Sequence, residues 1–421
     1  MLTPTTPCNL PLGNGLVLKS VRDTNDAERL SEFNAQPFGP SVGEMSRALM
    51  IHHPDTRPHH WLFIEDDNHQ IISSLALIPW TWRYEDVTLK SGEMGIVSTL
   101  ETHRNKGLIR ALDARFKELL HDEDFDFSHI QGIPYFYRQF GYEYAMPLEG
   151  QWQIELRHVP DQVPNSGYIC RAATIDDIPL LMQMYDEAAA TLDIHAVRSA
   201  DIWRYLLEDA AGSETEAETW LMLDSSDHAV GYWRIALHGF GEGLIVSDTS
   251  RLRHAAAEVL LSWLKAAAVE RNKPYIRFNL PANHDLLRVA MYRGARDAGT
   301  YAWQLHMVDV ACLLKKLTPV LERRIAASPF AGLSQEVIIN LYRKAVTLNF
   351  ERSKLRAVND IGFTDKGEIH IPPLLFAPLV LGYRSREELR QAYPDVNIWG
   401  QSQHLVDVLF PKLESFLFSI Y

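Results

Sequence analysis

Val97-Ser98-Thr99-Leu100-Glu101-Thr102-His103-Arg104-Asn105-Lys106-Gly107-Leu108-Ile109-Arg110-Ala111-Leu112 reads as a strand, a basic turn carrying a glycine, and then a helix. Ile96, Val97 and Thr99 suit a pleated surface, where branched side chains pack well. Ala111, Leu112, Phe116 and Leu119 recur at helical spacing. A turn that enters a helix presents unpaired backbone N–H groups and is a natural anion site. Gly107 removes a side chain where a phosphate would approach the backbone. Arg104, Lys106 and Arg110 would add charge-assisted hydrogen bonds.

Downstream lies Ile133-Pro134-Tyr135-Phe136-Tyr137-Arg138-Gln139-Phe140-Gly141-Tyr142-Glu143. Its Tyr137 is a candidate proton donor, because a phenol with an ordinary pKa of about 10 stays protonated at neutral pH. The first stretch resembles motif A of the GCN5-related N-acetyltransferases (GNAT), which grips the pyrophosphate of acetyl-CoA. Arg104-x-x-Gly107-x-Ile109 matches two of its anchors, while Ile109 stands where the family has a second small residue. The aromatic segment most resembles that of the enhanced intracellular survival (Eis) acetyltransferases. The resemblance implies direct transfer from acetyl-CoA to an amine in a ternary complex. Val97, Ser98 and Thr99 would accompany the pantetheine arm. Arg104, Asn105, Lys106, Gly107, Leu108, Ile109 and Arg110 would form the pyrophosphate turn, and Tyr137 would protonate the departing thiolate.

The C-terminal run Leu409-Phe410-Pro411-Lys412-Leu413-Glu414-Ser415-Phe416-Leu417-Phe418-Ser419-Ile420-Tyr421 is apolar and aromatic. Such a tail recovers its ordering entropy only by docking. In Eis-type enzymes the terminal carboxylate serves as general base, so the resemblance assigns that role to the α-carboxylate of Tyr421. Trp80, Trp82, Tyr84 and Glu93 fall where a GNAT acceptor pocket would lie. Aromatics and a carboxylate suit an amine through cation–π contact and charge pairing.

The 421 residues leave room for two to four domains. A hydrophobic content of 46% and a charged content of 23% are ordinary for globular protein. No apolar run is long enough to cross a membrane, and Met1–Cys8 lacks the layout of a secretion signal. Cys8, Cys170 and Cys312 are odd in number and far apart, which fits a cytoplasmic protein without disulfides or zinc. The net charge of −13 disfavours nucleic acid and is compatible with a cationic amine, small molecule or peptide. His52-His53 and His59-His60 lie near Asp55 and Asp66, but adjacent residues on an extended segment point to opposite faces. No metal is therefore expected.

Three parts follow from the pattern. Residues 1–150 carry strand, helix, strands, motif A, strand and helix, which is the GNAT order. Residues 151–306 echo it, with Met291-Tyr292-Arg293-Gly294 resembling Phe136-Tyr137-Arg138 and Gly141. Leu244–His254 has no glycine before its helix, so this copy is expected to lack a cofactor site. Residues 307–421 resemble the sterol-carrier-protein-like domain that ends Eis-type chains. The expected fold is α/β (α+β), with two tandem mixed-sheet GNAT domains followed by an α+β domain. Eis-type relatives assemble, and a homo-oligomer is compatible with the sequence. The rival readings are a non-catalytic acyl-CoA sensor, a lipid carrier, and a tRNA-dependent transferase, the last opposed by the acidic balance.

Overall fold

A computed structural model of the chain describes residues 7–161 and 167–421. Part of the Met1–Cys8 stretch, read above for a targeting signal, lies outside the described residues. Among the described residues no helix is long and apolar enough to cross a membrane.

One large mixed sheet holds β1 (Asn9–Gly13), β2 (Leu16–Ser20), β3 (Trp61–Glu65), β4 (Ile71–Tyr84), β5 (Val87–Thr99), β6 (Phe127–Ile130) and β7 (Glu143–Glu155) from the first third of the chain. It also holds β8 (Ile169–Ala172), β9 (Ile194–Ala196), β10 (Ala217–Leu223), β11 (Ala229–Ala236), β12 (Leu244–Thr249), β13 (Tyr275–Phe278) and β14 (Arg296–Met307). The order is β1-β2-β3-β4-β5-β6-β14-β7-β13-β12-β11-β10-β8, with β9 pairing β4. The two halves interleave, because β14 sits between β6 and β7 while β7 pairs onward to β13. The boundary at position 150 expected from sequence therefore falls inside the continuous strand β7. A separate five-stranded sheet comprises β15 (Gln335–Asn340), β16 (Ala345–Glu351), β17 (Lys354–Gly362), β18 (Ile369–His370) and β19 (Asn397–Ile398).

Helices α1 (Thr24–Phe38) and α3 (Leu108–Asp122) pack on the first part of the large sheet, and α2 (Pro40–Ile51) packs on α1. Asp23 caps α1, accepting from the Asp26 N–H. Leu112, Phe116, Leu119 and Leu120 give α3 one apolar face, which is buried against β3, β4 and β5. Gly107 stands immediately before α3 in the left-handed conformation, at φ +79°. That backbone suits glycine and strains other residues.

Two features of β5 position the site. Ile96 adopts φ +48°, rare for a branched residue, where the register against β4 slips by one residue. On its other edge β5 pairs in parallel with β6 only from Ser91 to Glu93. Beyond Glu93 the two strands part. The edge of β5 toward β6 then faces a cleft.

Candidate active site

The cleft holds a cavity of about 790 Å³. Val97, Ser98 and Thr99 line one side, His103, Arg104, Asn105, Gly107, Leu108, Ile109 and Arg110 one end, and Ile133, Phe136, Tyr137, Gln139 and Phe140 the far side. No side chain caps α3. The first helical hydrogen bond at this end runs from the Arg110 N–H to the Gly107 carbonyl at 3.0 Å. Among the described residues the N–H groups of Leu108 and Ile109 have no partner, as expected of a helix N-terminus open to an anion. Arg104 is largely exposed and lies 3.5 Å from Glu101. Arg110 donates to Gln139 Oε1 at 3.3 Å. Lys106 is exposed beside the same turn.

Tyr137 is buried and packs against Phe136, Phe140 and Tyr142. Burial, with Tyr301 nearby, pushes its phenol up to about 12, so it holds its proton at neutral pH. Gly132 makes this placement possible. A Cβ there would lie 2.2 Å from Tyr137 Cδ2. Gly132→Ala is expected to displace the ring and to cost about 1–3 kcal/mol of stability, which urea unfolding checks.

A second cavity of about 250 Å³ is lined by Trp80, Gln131, Trp303, Tyr421 and residues of β11 and β12. It adjoins the first along the short run Gln131-Gly132-Ile133, since Gln131 lines one cavity and Ile133 the other. Trp80 Nε1 donates to Glu93 Oε2 at 2.9 Å, and the Tyr421 phenol donates to the same oxygen at 2.8 Å. His129 Nε2 lies 3.8 Å from that oxygen without a hydrogen bond. Burial drives the His129 imidazole down to about 3, so it is neutral there. The tail carrying Tyr421 is docked by Phe416, Leu417, Phe418 and Ile420, all buried. Arg198 donates from Nε to the Ser419 carbonyl at 2.9 Å.

Burial pushes Glu93 up to about 7, against the lowering effect of its Tyr421 and Trp80 hydrogen bonds. Its folded pKa thus exceeds the model-compound value of 4.5. The folded chain holds this proton more tightly than the unfolded chain, so stability falls as pH rises through that interval. Glu93→Gln lacks this term. Relative to wild type, the variant is expected to gain on the order of 2–3 kcal/mol between pH 4.5 and 7.5. Urea unfolding at several pH values checks it, and parallel curves would contradict it.

Comparison with known proteins fits this geometry. Residues 35–145 match the family model described as an acetyltransferase (GNAT) domain. This part of the chain has a GNAT-like fold. No curated protein matches the sequence. Among solved structures, the chain is similar to a GCN5-related N-acetyltransferase from Anabaena variabilis, with TM-score 0.70 and 15% identity, covering 96% of this chain and 99% of that one. It is similar to a GCN5-related N-acetyltransferase from Kribbella flavida, with TM-score 0.67, 14% identity and coverage of 96% and 98%. Eis1 from Mycobacterium abscessus gives TM-score 0.62, 16% identity and coverage of 96% and 100%.

The site residues expected from sequence do not all gather. Val97, Ser98, Thr99, Arg104, Asn105, Gly107, Leu108, Ile109, Arg110 and Tyr137 line the first cavity, and Trp80 and Tyr421 line the second. Trp82 and Tyr84, expected in an acceptor pocket, line neither and are core residues. Trp82 packs on Phe127 and His129, and Tyr84 donates to the Val380 carbonyl at 2.7 Å. It is the phenol of Tyr421 that reaches Glu93, whereas the main-chain oxygen of Tyr421 accepts from Ser419 Oγ. Gly132, Gln131, His129 and Trp303 were invisible as site residues, because nothing in their local sequence marks them.

The histidine pair also departs from expectation. Pro58–His60 is a tight 3-10 turn, not an extended segment, so both rings face Glu123. His59 Nε2 lies 2.7 Å from one carboxylate oxygen and His60 Nε2 lies 3.2 Å from each. These donors lie close enough together to hold a cation. However, His60 Nδ1 accepts the Arg57 N–H at 3.1 Å. In the neutral ring its proton therefore sits on Nε2, directed at Glu123, with no lone pair left for a metal there.

Proposed function

We propose that the protein moves an acetyl group from acetyl-CoA to an amine by direct attack in a ternary complex. The observation that carries this reading is the 790 Å³ cleft, which opens where β5 and β6 part, with the uncapped α3 terminus and Gly107 at one end and Tyr137 on the far wall. Main-chain groups of Val97 and Thr99 would run beside the pantetheine arm. The N–H groups at the start of α3, with Arg104, Lys106 and Arg110, would hold the pyrophosphate.

In this mechanism the amine loses its ammonium proton and its lone pair attacks the thioester carbonyl carbon. The tetrahedral oxyanion is met by main-chain N–H groups at the β5 bulge. Collapse breaks the C–S bond, Tyr137 gives its proton to the sulfur, and the proton still carried by the former amine nitrogen is released to restore the phenol. Burial that raises the phenol also raises a thiolate beside it, which keeps the two matched. In a chain ending at Tyr421, its α-carboxylate is the proposed base. Trp80 and Glu93 are proposed to shape the acceptor side, Glu93 by holding Tyr421.

Residues 151–306 are proposed as a second copy of the same fold without a cofactor site, and 307–421 as a sterol-carrier-like domain. Three features support the first assignment. β12 and β13 form a parallel pair like β5 and β6. Leu252 is buried where a glycine turn would be needed. Tyr292 is exposed where Tyr137 is buried.

Acetyl-CoA titration into the protein tests the cofactor assignment. Gly107→Val puts a branched side chain at φ +79° facing open cavity space. It is expected to weaken acetyl-CoA binding at least about tenfold, since the helix N-terminus can no longer approach the phosphates. Equal affinity in both proteins would remove the turn from the site.

A further inference from the structure

Arg234, on β11, lines the second cavity and is nearly fully buried. Its Nε donates to Thr219 Oγ1 at 3.2 Å, and Nη2 reaches the Leu206 carbonyl at 3.5 Å. Among the described residues it forms no ion pair. Asp248, opposite Arg234 across β11 and β12, is already taken. Arg198 pairs with it, and the Tyr232 phenol donates to it at 3.0 Å. Two buried guanidiniums thus face one carboxylate, which leaves Arg234 without an ion pair of its own at the cavity wall.

Arg277, in the same cavity wall, shows the contrast. Glu149 pairs with it, and its other N–H groups go to the Phe240 carbonyl and to Asn279 Oδ1 at 3.0 Å. Glu214, also in the wall, accepts from Ser41 Oγ at 2.7 Å and makes no ion pair among the described residues. Burial, with Arg198 close by, lowers Arg234 to about 10, still charged at neutral pH. A buried charge without a partner is costly, and a ligand anion that supplies the partner recovers that cost.

The geometry points to an acceptor that carries a carboxylate as well as its amine, an amino-acid-like molecule whose carboxylate pairs with Arg234 in the cavity that Trp80 and Tyr421 help to line. This assignment rests on the acetyl-transfer reading and names its substrate class. The volume of about 250 Å³ lies below the range usual for drug-sized ligands, so a compact acceptor fits and a multi-ring polycation does not.

The test compares matched acceptors that differ only by the carboxylate, namely lysine against pentane-1,5-diamine and β-alanine against ethylamine, in CoA thiol release by the full chain. The carboxylate-bearing member of each pair is expected to have the higher kcat/KM by at least about tenfold. Arg234→Gln is expected to narrow that ratio through KM. Equal or better use of the decarboxylated amines by wild type overturns the assignment, whether or not the variant folds. If no acceptor releases thiol, the acetyl-transfer reading fails, and calorimetric titration of the same pairs then decides the inference alone. Tighter binding of the carboxylate members supports it, and equal or weaker binding overturns it.

Discussion

Tyr137→Phe is expected to lower kcat for amine-dependent CoA release by about 10²- to 10³-fold. The substitution deletes one oxygen and leaves the ring among Phe136, Phe140 and Tyr142. Among the described residues no hydrogen bond to this hydroxyl holds the fold together. Stability and acetyl-CoA affinity should therefore stay close to wild type, and the loss should fall on the chemical step. That split separates a proton donor from a packing residue, because a packing defect would move the unfolding midpoint as well. Stopped-flow measurement of thiol release beside thermal unfolding checks both parts.

The second large effect concerns the tail. In a chain ending at Tyr421, adding one glycine after it moves the carboxylate while leaving every side chain in place. A loss in kcat of about 10² or more is expected, the range for removing a general base. Tyr421→Phe deletes only the phenol, whose partner is Glu93 Oε2 at 2.8 Å. Its loss should be smaller than that of the extended chain. Removing Ser419–Tyr421 altogether is expected to cost stability as well. It leaves the buried Arg198 without its Ser419 carbonyl acceptor and takes Ile420 out of the core. A larger loss from Tyr421→Phe than from the added glycine would move the role from the carboxylate to the phenol.

Local patterns were legible in the sequence and long-range placement was not. The strand, turn and helix around Gly107 follow from residue type alone, since glycine favours the left-handed conformation at the α3 start and Leu112, Phe116 and Leu119 build its buried face. Trp80, Trp82 and Tyr84 alternate along β4 and so share one face of the strand. Their fates diverge because the C-terminal segment near Val380 covers Tyr84 while the second cavity opens at Trp80. No window of sequence near β4 encodes that. Glu93 and Tyr421 meet across 328 positions of chain. Their contact depends on the whole route of the tail, through Ile194 and Arg198. The histidine pair failed for a local reason, because Pro58 starts a 3-10 turn that brings neighbouring side chains to one side. The interleaving of β7 and β14 is a matter of topology, which strand-by-strand reading does not reach.

The most direct measurement is the fate of the acetyl group. The full chain would be incubated with acetyl-CoA and a panel of amines, with free CoA thiol and acetylated amine followed together by mass spectrometry. Stoichiometric appearance of both, dependent on the amine and nearly lost in Tyr137→Phe, is the expected result. Tight acetyl-CoA binding without any acetylated amine, or thiol release equal in the presence and absence of amine, would contradict an N-acetyltransferase.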